Sequence, residues 1–141
     1  PQPNGLNFNI PVNASMAEAL GYQRGSCFSG MGYHWFLDIT RNDGTMSWEG
    51  KNLLPIVPMY NRETGLINAF FFASTVRQQT IFPPSANQWE PVPLPNLLMC
   101  KNMCNSDCTF HDVTLWSTLH IYMNDYKQVD CPGSCTIGCC Q

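Results

Sequence analysis

Leu66-Ile67-Asn68-Ala69-Phe70-Phe71-Phe72-Ala73-Ser74 is the most apolar stretch of the chain, and its reading decides the fold. Three consecutive phenylalanines, Phe70–Phe72, stand at its centre. A turn-forming segment, Asn61–Gly65, precedes it. A short apolar run bounded in this way reads as a central strand. It is far too short to cross a bilayer.

Outward from this strand, Leu53–Tyr60 is a second apolar run, broken by Pro55 and Pro58. Proline supplies no ladder donor, so this run is expected at a sheet edge or as an interrupted strand. Tyr33–Thr40 reads as a further strand, Asn42-Asp43-Gly44 as a turn, and Thr45–Trp48 as the returning strand of a hairpin. Val113–Met123 is a strand candidate near the other end. Before these, residues 1–14 are rich in Pro and Asn and expected to be extended. Ser15-Met16-Ala17-Glu18 has the form of a capping box, which predicts a short helix over Met16–Tyr22 ended by Gly21 or Gly25. Pro83-Pro84 and Glu90-Pro91-Val92-Pro93-Leu94-Pro95 predict an irregular, polyproline-like region. The fold expected is mainly β: an antiparallel barrel or sandwich with one short N-terminal helix and a disulfide-rich C-terminal segment.

The chain of 141 residues fits a single domain with a core of its own. Charged residues make up 12% of it, about half the usual share of roughly 25%. Such a surface exposes amides, hydroxyls and apolar atoms, and favours neutral partners or assembly with itself. The net charge is -3 and the seven basic residues are scattered, so no stripe exists to track a phosphate backbone; nucleic acid is not an expected partner. No basic amphipathic stretch points to a membrane surface, and no membrane span is expected.

Eight cysteines fall at Cys27, Cys100, Cys104, Cys108, Cys131, Cys135, Cys139 and Cys140. Disulfides in an oxidising compartment are preferred over a zinc-thiolate centre, because zinc knuckles usually use C-x2-C spacing and these blocks use C-x3-C. The pairing is left open. Cys27 stands apart, so any bridge from it closes a loop of about 70 residues or more, worth on the order of 4 kcal/mol. The rest are expected to tie 100–108 to 131–140. Asn13-Ala14-Ser15 is an N-glycosylation acceptor, which agrees with secretion. A cleaved signal segment is then expected ahead of the mature chain.

Three histidines are present: His34, His111 and His120. Strand side chains alternate faces. His34, Phe36 and Asp38 therefore share one face, and Thr118, His120 and Tyr122 share another. If the two strands are neighbours, His34 and His120 converge with Tyr122 and Asp38 nearby. Such a group suits acid–base catalysis, since imidazole titrates near neutral pH. With His111 or Asp38 as a third ligand, the two imidazoles suit zinc or copper. The plainer alternative is that both rings hydrogen-bond locally in a β-rich core. No nucleophile elbow, phosphate loop or zinc-protease helix motif occurs. Among the tryptophans, Trp35 and Trp89 are candidate ligand contacts. Trp89 is the better placed, because a Pro-rich loop is harder to bury.

The motifs Gly30-Met31-Gly32-Tyr33-His34-Trp35 and Leu119-His120-Ile121-Tyr122 resemble a pattern in small, uncharacterised β-rich proteins, some bacterial and some from invertebrates. Those open with M-G-x-H-aromatic and close with L-H-[IV]-aromatic. Between the motifs they carry a proline-led apolar strand, a Tyr and a Gly turn into a second apolar strand. Here Pro55–Tyr60, Gly65 and Leu66–Phe72 occupy that place. The resemblance implies that His34 and His120 belong to one β scaffold. It implies no activity, and the C-terminal cysteine array is not part of it.

The expectation from these readings is a secreted extracellular binding or structural module. Its partner would be a glycan, a small molecule or a protein, including a second copy of itself. The alternative is a small extracellular metal protein or enzyme using His34 and His120.

Overall fold

A computed structural model describes residues 9–28, 30–38, 47–49, 53–74, 89–93, 109–111 and 115–123. The elements in chain order are α1 (Ala14–Ala19), β1 (Gln23–Phe28), β2 (Gly32–Phe36), β3 (Ser47–Glu49), β4 (Ile56–Tyr60), β5 (Ile67–Ser74), β6 (Glu90–Pro93), β7 (Thr109–His111) and β8 (Leu115–Tyr122). Among the described residues the fold is mainly β with one short helix. Six strands form an antiparallel sheet in the order β1-β2-β4-β5-β8-β6, and β3 and β7 form a separate parallel pair. Among the described residues the large sheet is open, with β1 and β6 at its edges, and is not a closed barrel. The turn at 42–44 and the cysteines after residue 99 lie outside the described residues.

Several elements differ from the sequence reading for physical reasons. The helix starts two residues earlier, because Asn13 rather than Ser15 is its cap. Asn13 has extended backbone, φ -147 and ψ 162, and its side chain accepts from the Met16 amide at 2.9 Å. At the other end Tyr22 N–H donates to the Ala17 carbonyl and Gly21 N–H to that of Glu18, at 3.0 and 2.9 Å. These two bonds form a Schellman ending, which needs the left-handed φ of 87 that Gly21 adopts. Tyr22 then enters β1, a strand whose Gln, Arg, Gly and Ser residues carry little hydrophobic signal.

β4 is not an edge strand. It lies between β2 and β5 despite Pro58. The ladder to β2 contains Tyr33↔Tyr60 and His34↔Met59 and stops one residue short of that proline. β3 is not the return strand of β2; it pairs with β7. The proline segment Glu90–Pro93 is a regular edge strand on β8, where missing donors are tolerated.

The centre of the sheet is buried on both faces. Phe36, Val57, Met59, Ala69 and Phe71 lie on the face that His34 shares, each at most 2% exposed. On the opposite face Trp35 and Tyr60 pack with Ala17 of α1, Tyr22 and Leu54. The Tyr60 hydroxyl, almost wholly buried, donates to the Pro11 carbonyl at 2.7 Å and ties the N-terminal segment to β4. Burial, reinforced by the neighbouring Tyr22, holds that hydroxyl well above the ordinary tyrosine range, so it remains a donor.

The join between β2 and β4 is tight. Gly32 has φ 94, and a Cβ there would run into the Tyr60 carbonyl. Between Met59↔Ala69 and Tyr60↔Ile67 the β4–β5 register skips Asn68, which is a bulge. Asn68 is 1% exposed, and its amide donates to the carbonyls of Met31 and Gly30 at 3.3 and 3.5 Å.

Gly32→Ala combines backbone strain with overpacking, and is expected to cost about 3–5 kcal/mol in urea unfolding. Tyr60→Phe strands the Pro11 carbonyl in the core. A loss of about 1–3 kcal/mol is expected by the same measurement.

Candidate functional site

The face of the sheet that carries His34 also carries His120, but β2 and β8 are not neighbours. β4 and β5 stand between them, so their backbones are roughly 14 Å apart. Cross-strand partners place His34 in a row with Met59, Ala69 and Tyr122, and place His120 opposite Phe71. Phe71 touches both imidazoles, with ring centroids 5.6 Å from His34 and 5.2 Å from His120. Phe28 meets His34 edge-on at 4.9 Å, and Tyr122 stacks on His120 at 6.1 Å with an interplanar angle of 19°. The two histidines thus belong to an aromatic row that crosses the sheet.

His34 is the buried member, 1% exposed. Its Nδ1 lies 3.2 Å from the Gly32 carbonyl. A carbonyl only accepts, so this contact places a proton on Nδ1 and fixes the tautomer. The ring fastens the start of β2 to itself and fills the space between Phe28 and Phe71. Those are packing and positioning roles.

His120 is different. Its side chain is 9% exposed, and its Nδ1 is buried with no hydrogen-bond partner. The nearest acid is Glu90, whose Oε2 lies 3.6 Å from that nitrogen and whose side chain is 66% exposed. Glu90 pairs with Thr118 across the β6–β8 ladder, and the buried Thr118 hydroxyl donates to its backbone carbonyl at 3.4 Å. Burial lowers the His120 pKa below its ordinary 6.5, and the Glu90 carboxylate offsets part of that effect. The imidazole is therefore neutral near pH 7.

The remaining candidates are scattered. Asp38 is buried beyond the end of β2, where it bridges to Leu53, and does not join His120. Tyr122 is exposed and adjoins His120 as read from the strand pattern. Trp35 is on the opposite face, 7% exposed and edge-on to Tyr60 at 6.0 Å; its Nε1 has no hydrogen-bond partner. Trp89 is half-buried immediately before β6. His111 is in β7, in the separate two-stranded sheet. Among the described residues no group of three His, Cys, Asp or Glu side chains is placed to hold a metal ion. Cys27 is disulfide-bonded.

Glu90 is the residue that sequence reasoning missed. In the sequence it is only the first residue of a proline-rich segment. Only the pairing of that segment with β8 brings it to His120. Comparisons with protein-family models, curated proteins and solved structures find no match for the chain.

The lowered pKa of His120 has a pH consequence. Below about pH 6.5 the unfolded chain takes up a proton that the folded chain resists. The unfolded state then binds more protons, and stability falls with pH until the folded pKa is also passed. In a chelating buffer, His120→Gln is expected to lose less stability than the parent between pH 7.5 and pH 5, measured by paired urea titrations. An equal loss in both proteins rejects the assignment.

Proposed function

We propose that the protein is a secreted β-module that works by binding an extracellular protein, itself included, rather than by catalysis at a His34–His120 centre. The observation that carries this reading is the distribution of exposed apolar side chains. Val12, Met16, Leu20, Leu66, Ile121 and Met123 are between 38% and 59% exposed. Val12, Leu66, Ile121 and Met123 lie toward the end of the sheet where β5 starts and β8 stops. The Asn13↔Leu66 bridge ties the start of α1 to the start of β5, and Met123 N–H donates to the Asn68 carbonyl at 2.8 Å. In a chain with 12% charged residues, an apolar end of this kind is a feature of interaction surfaces.

The burial of His34 supports the same reading, because a ring enclosed between Phe28 and Phe71 is not offered to a substrate. In this reading the cysteines after residue 99 pair as disulfides and brace the C-terminal segment, as the bonded Cys27 suggests. The open sheet and the β3–β7 pair form the two layers of a sandwich.

The test is a surface-plasmon-resonance screen of extracellular proteins, with the protein itself among them, run beside a glycan array. Partners are expected to lose at least tenfold in affinity to Leu66→Glu/Met123→Glu, a double variant whose circular-dichroism melt stays close to the parent because both positions are exposed. A partner that binds the variant equally well moves the binding surface elsewhere. Hits on the glycan array alone replace the protein partner with a sugar.

A further inference from the structure

We propose that His120 Nδ1 and the Glu90 carboxylate together bind a divalent transition-metal ion, zinc or copper(II), on the outer strand pair β8–β6. The distance between the two groups is the first argument. At 3.6 Å they are too far apart for a charge-assisted hydrogen bond, which lies at about 2.7–2.9 Å. Two ligands bound to a tetrahedral ion at about 2.0–2.1 Å lie about 3.4 Å apart. The pair is therefore close to the spacing that an ion imposes.

The second argument is the orphaned nitrogen. His120 is nine-tenths buried in its side chain, and its Nδ1 makes no hydrogen bond. An ion bonded to Nδ1 and Oε2 satisfies both groups at once. The third is preorganisation. Phe71 and Tyr122 hold the imidazole plane, and the Thr118 hydroxyl and the ladder hold the Glu90 backbone. The exposed carboxylate can swing to admit the ion.

The donor set fixes the class of ion. Imidazole with a single carboxylate suits zinc and copper, whereas magnesium and calcium take oxygen donors throughout. Two protein ligands leave the other positions to water or to a donor on a bound molecule. Affinity is then modest, with copper held more tightly than zinc by the usual order of the divalent ions. This site uses neither His34 nor the apolar end of the sheet, so it stands or falls independently of the binding reading above.

The full-length oxidised protein, stripped with chelator and dialysed, is titrated with zinc chloride by calorimetry and with copper(II) by electron paramagnetic resonance. One saturable ion per chain is expected, with hyperfine structure from one imidazole nitrogen. Zinc is expected to raise the melting temperature of the parent. Glu90→Gln alters only an exposed side chain and should leave the fold intact, yet weaken zinc at least tenfold and abolish that shift. His120→Gln should remove the nitrogen hyperfine signal, with circular dichroism confirming that it is folded. Equal zinc affinity in Glu90→Gln, an unchanged copper spectrum in folded His120→Gln, or no saturable binding below 100 μM overturns the proposal.

Discussion

The backbone of Gly32 lies against the Tyr60 carbonyl with no room for a side chain between them, and the arrangement of β2, β4 and β5 depends on that contact. It starts β2 directly beside the end of β4, so that Tyr33 pairs with Tyr60 and His34 with Met59. The next strand cannot follow with a regular register, because the β1–β2 turn carries carbonyls that need partners. The Asn68 bulge answers both demands. It absorbs the extra residue in β5 and aims an amide at Met31 and Gly30. The same bulge leaves the Asn68 carbonyl to accept from Met123, which fixes where β8 ends. Tyr60 adds the last tie through its hydroxyl to Pro11. A buried amide and a buried phenol each cost desolvation, and both are offset here because every donor reaches a carbonyl.

The two histidines show how position in a sheet divides one residue type into two roles. His34 sits on β2, inside the sheet, with aromatic rings beside it and its own strand's carbonyl as hydrogen-bond partner. A phenylalanine would fill the same volume but leave the Gly32 carbonyl without that donor. His120 sits on β8, covered on one side by Phe71 and followed by only one more strand of the sheet. It is buried enough to resist protonation and near enough to the edge to meet an exposed carboxylate. Phe71 separates these environments, so the pair behaves as two single rings.

How much of this was legible in the sequence follows from which forces are local. β5 and β8 carry dense apolar runs, and hydrophobic pattern alone locates them near their observed bounds. Alternation also gave the correct faces for His34, Phe36, His120 and Tyr122. Strand order was not legible, since adjacency of β2 and β8 was an assumption and two strands lie between them. Pro58 misled because a proline argues against a central strand only where its missing donor is needed. The β2 ladder ends before it, and that ending is a tertiary fact. β1 was invisible for a related reason. Gly25 is small because Phe36 occupies the space beside it, so the residue that makes the strand fit is the one that weakens its pattern.

The edges explain why a candidate site arises at β6 rather than elsewhere. An open sheet must protect its outer strands from pairing with another chain. β1 does so with a register irregularity between Arg24 and Cys27, and with the Arg24 guanidinium laid over Tyr33 at 4.9 Å. β6 does so with Pro91 and Pro93, which supply no donors, and with the exposed charge of Glu90. Both devices on β6 are negative features in stability terms. Their effect is to discourage a further strand from pairing with β6. The Thr118 hydroxyl holds the Glu90 backbone there, while the Glu90 carboxylate keeps solvent access and faces a nitrogen that has none. The pair therefore sets a dry nitrogen opposite a wet carboxylate at the edge of the sheet, with the packing of Phe71 behind it undisturbed.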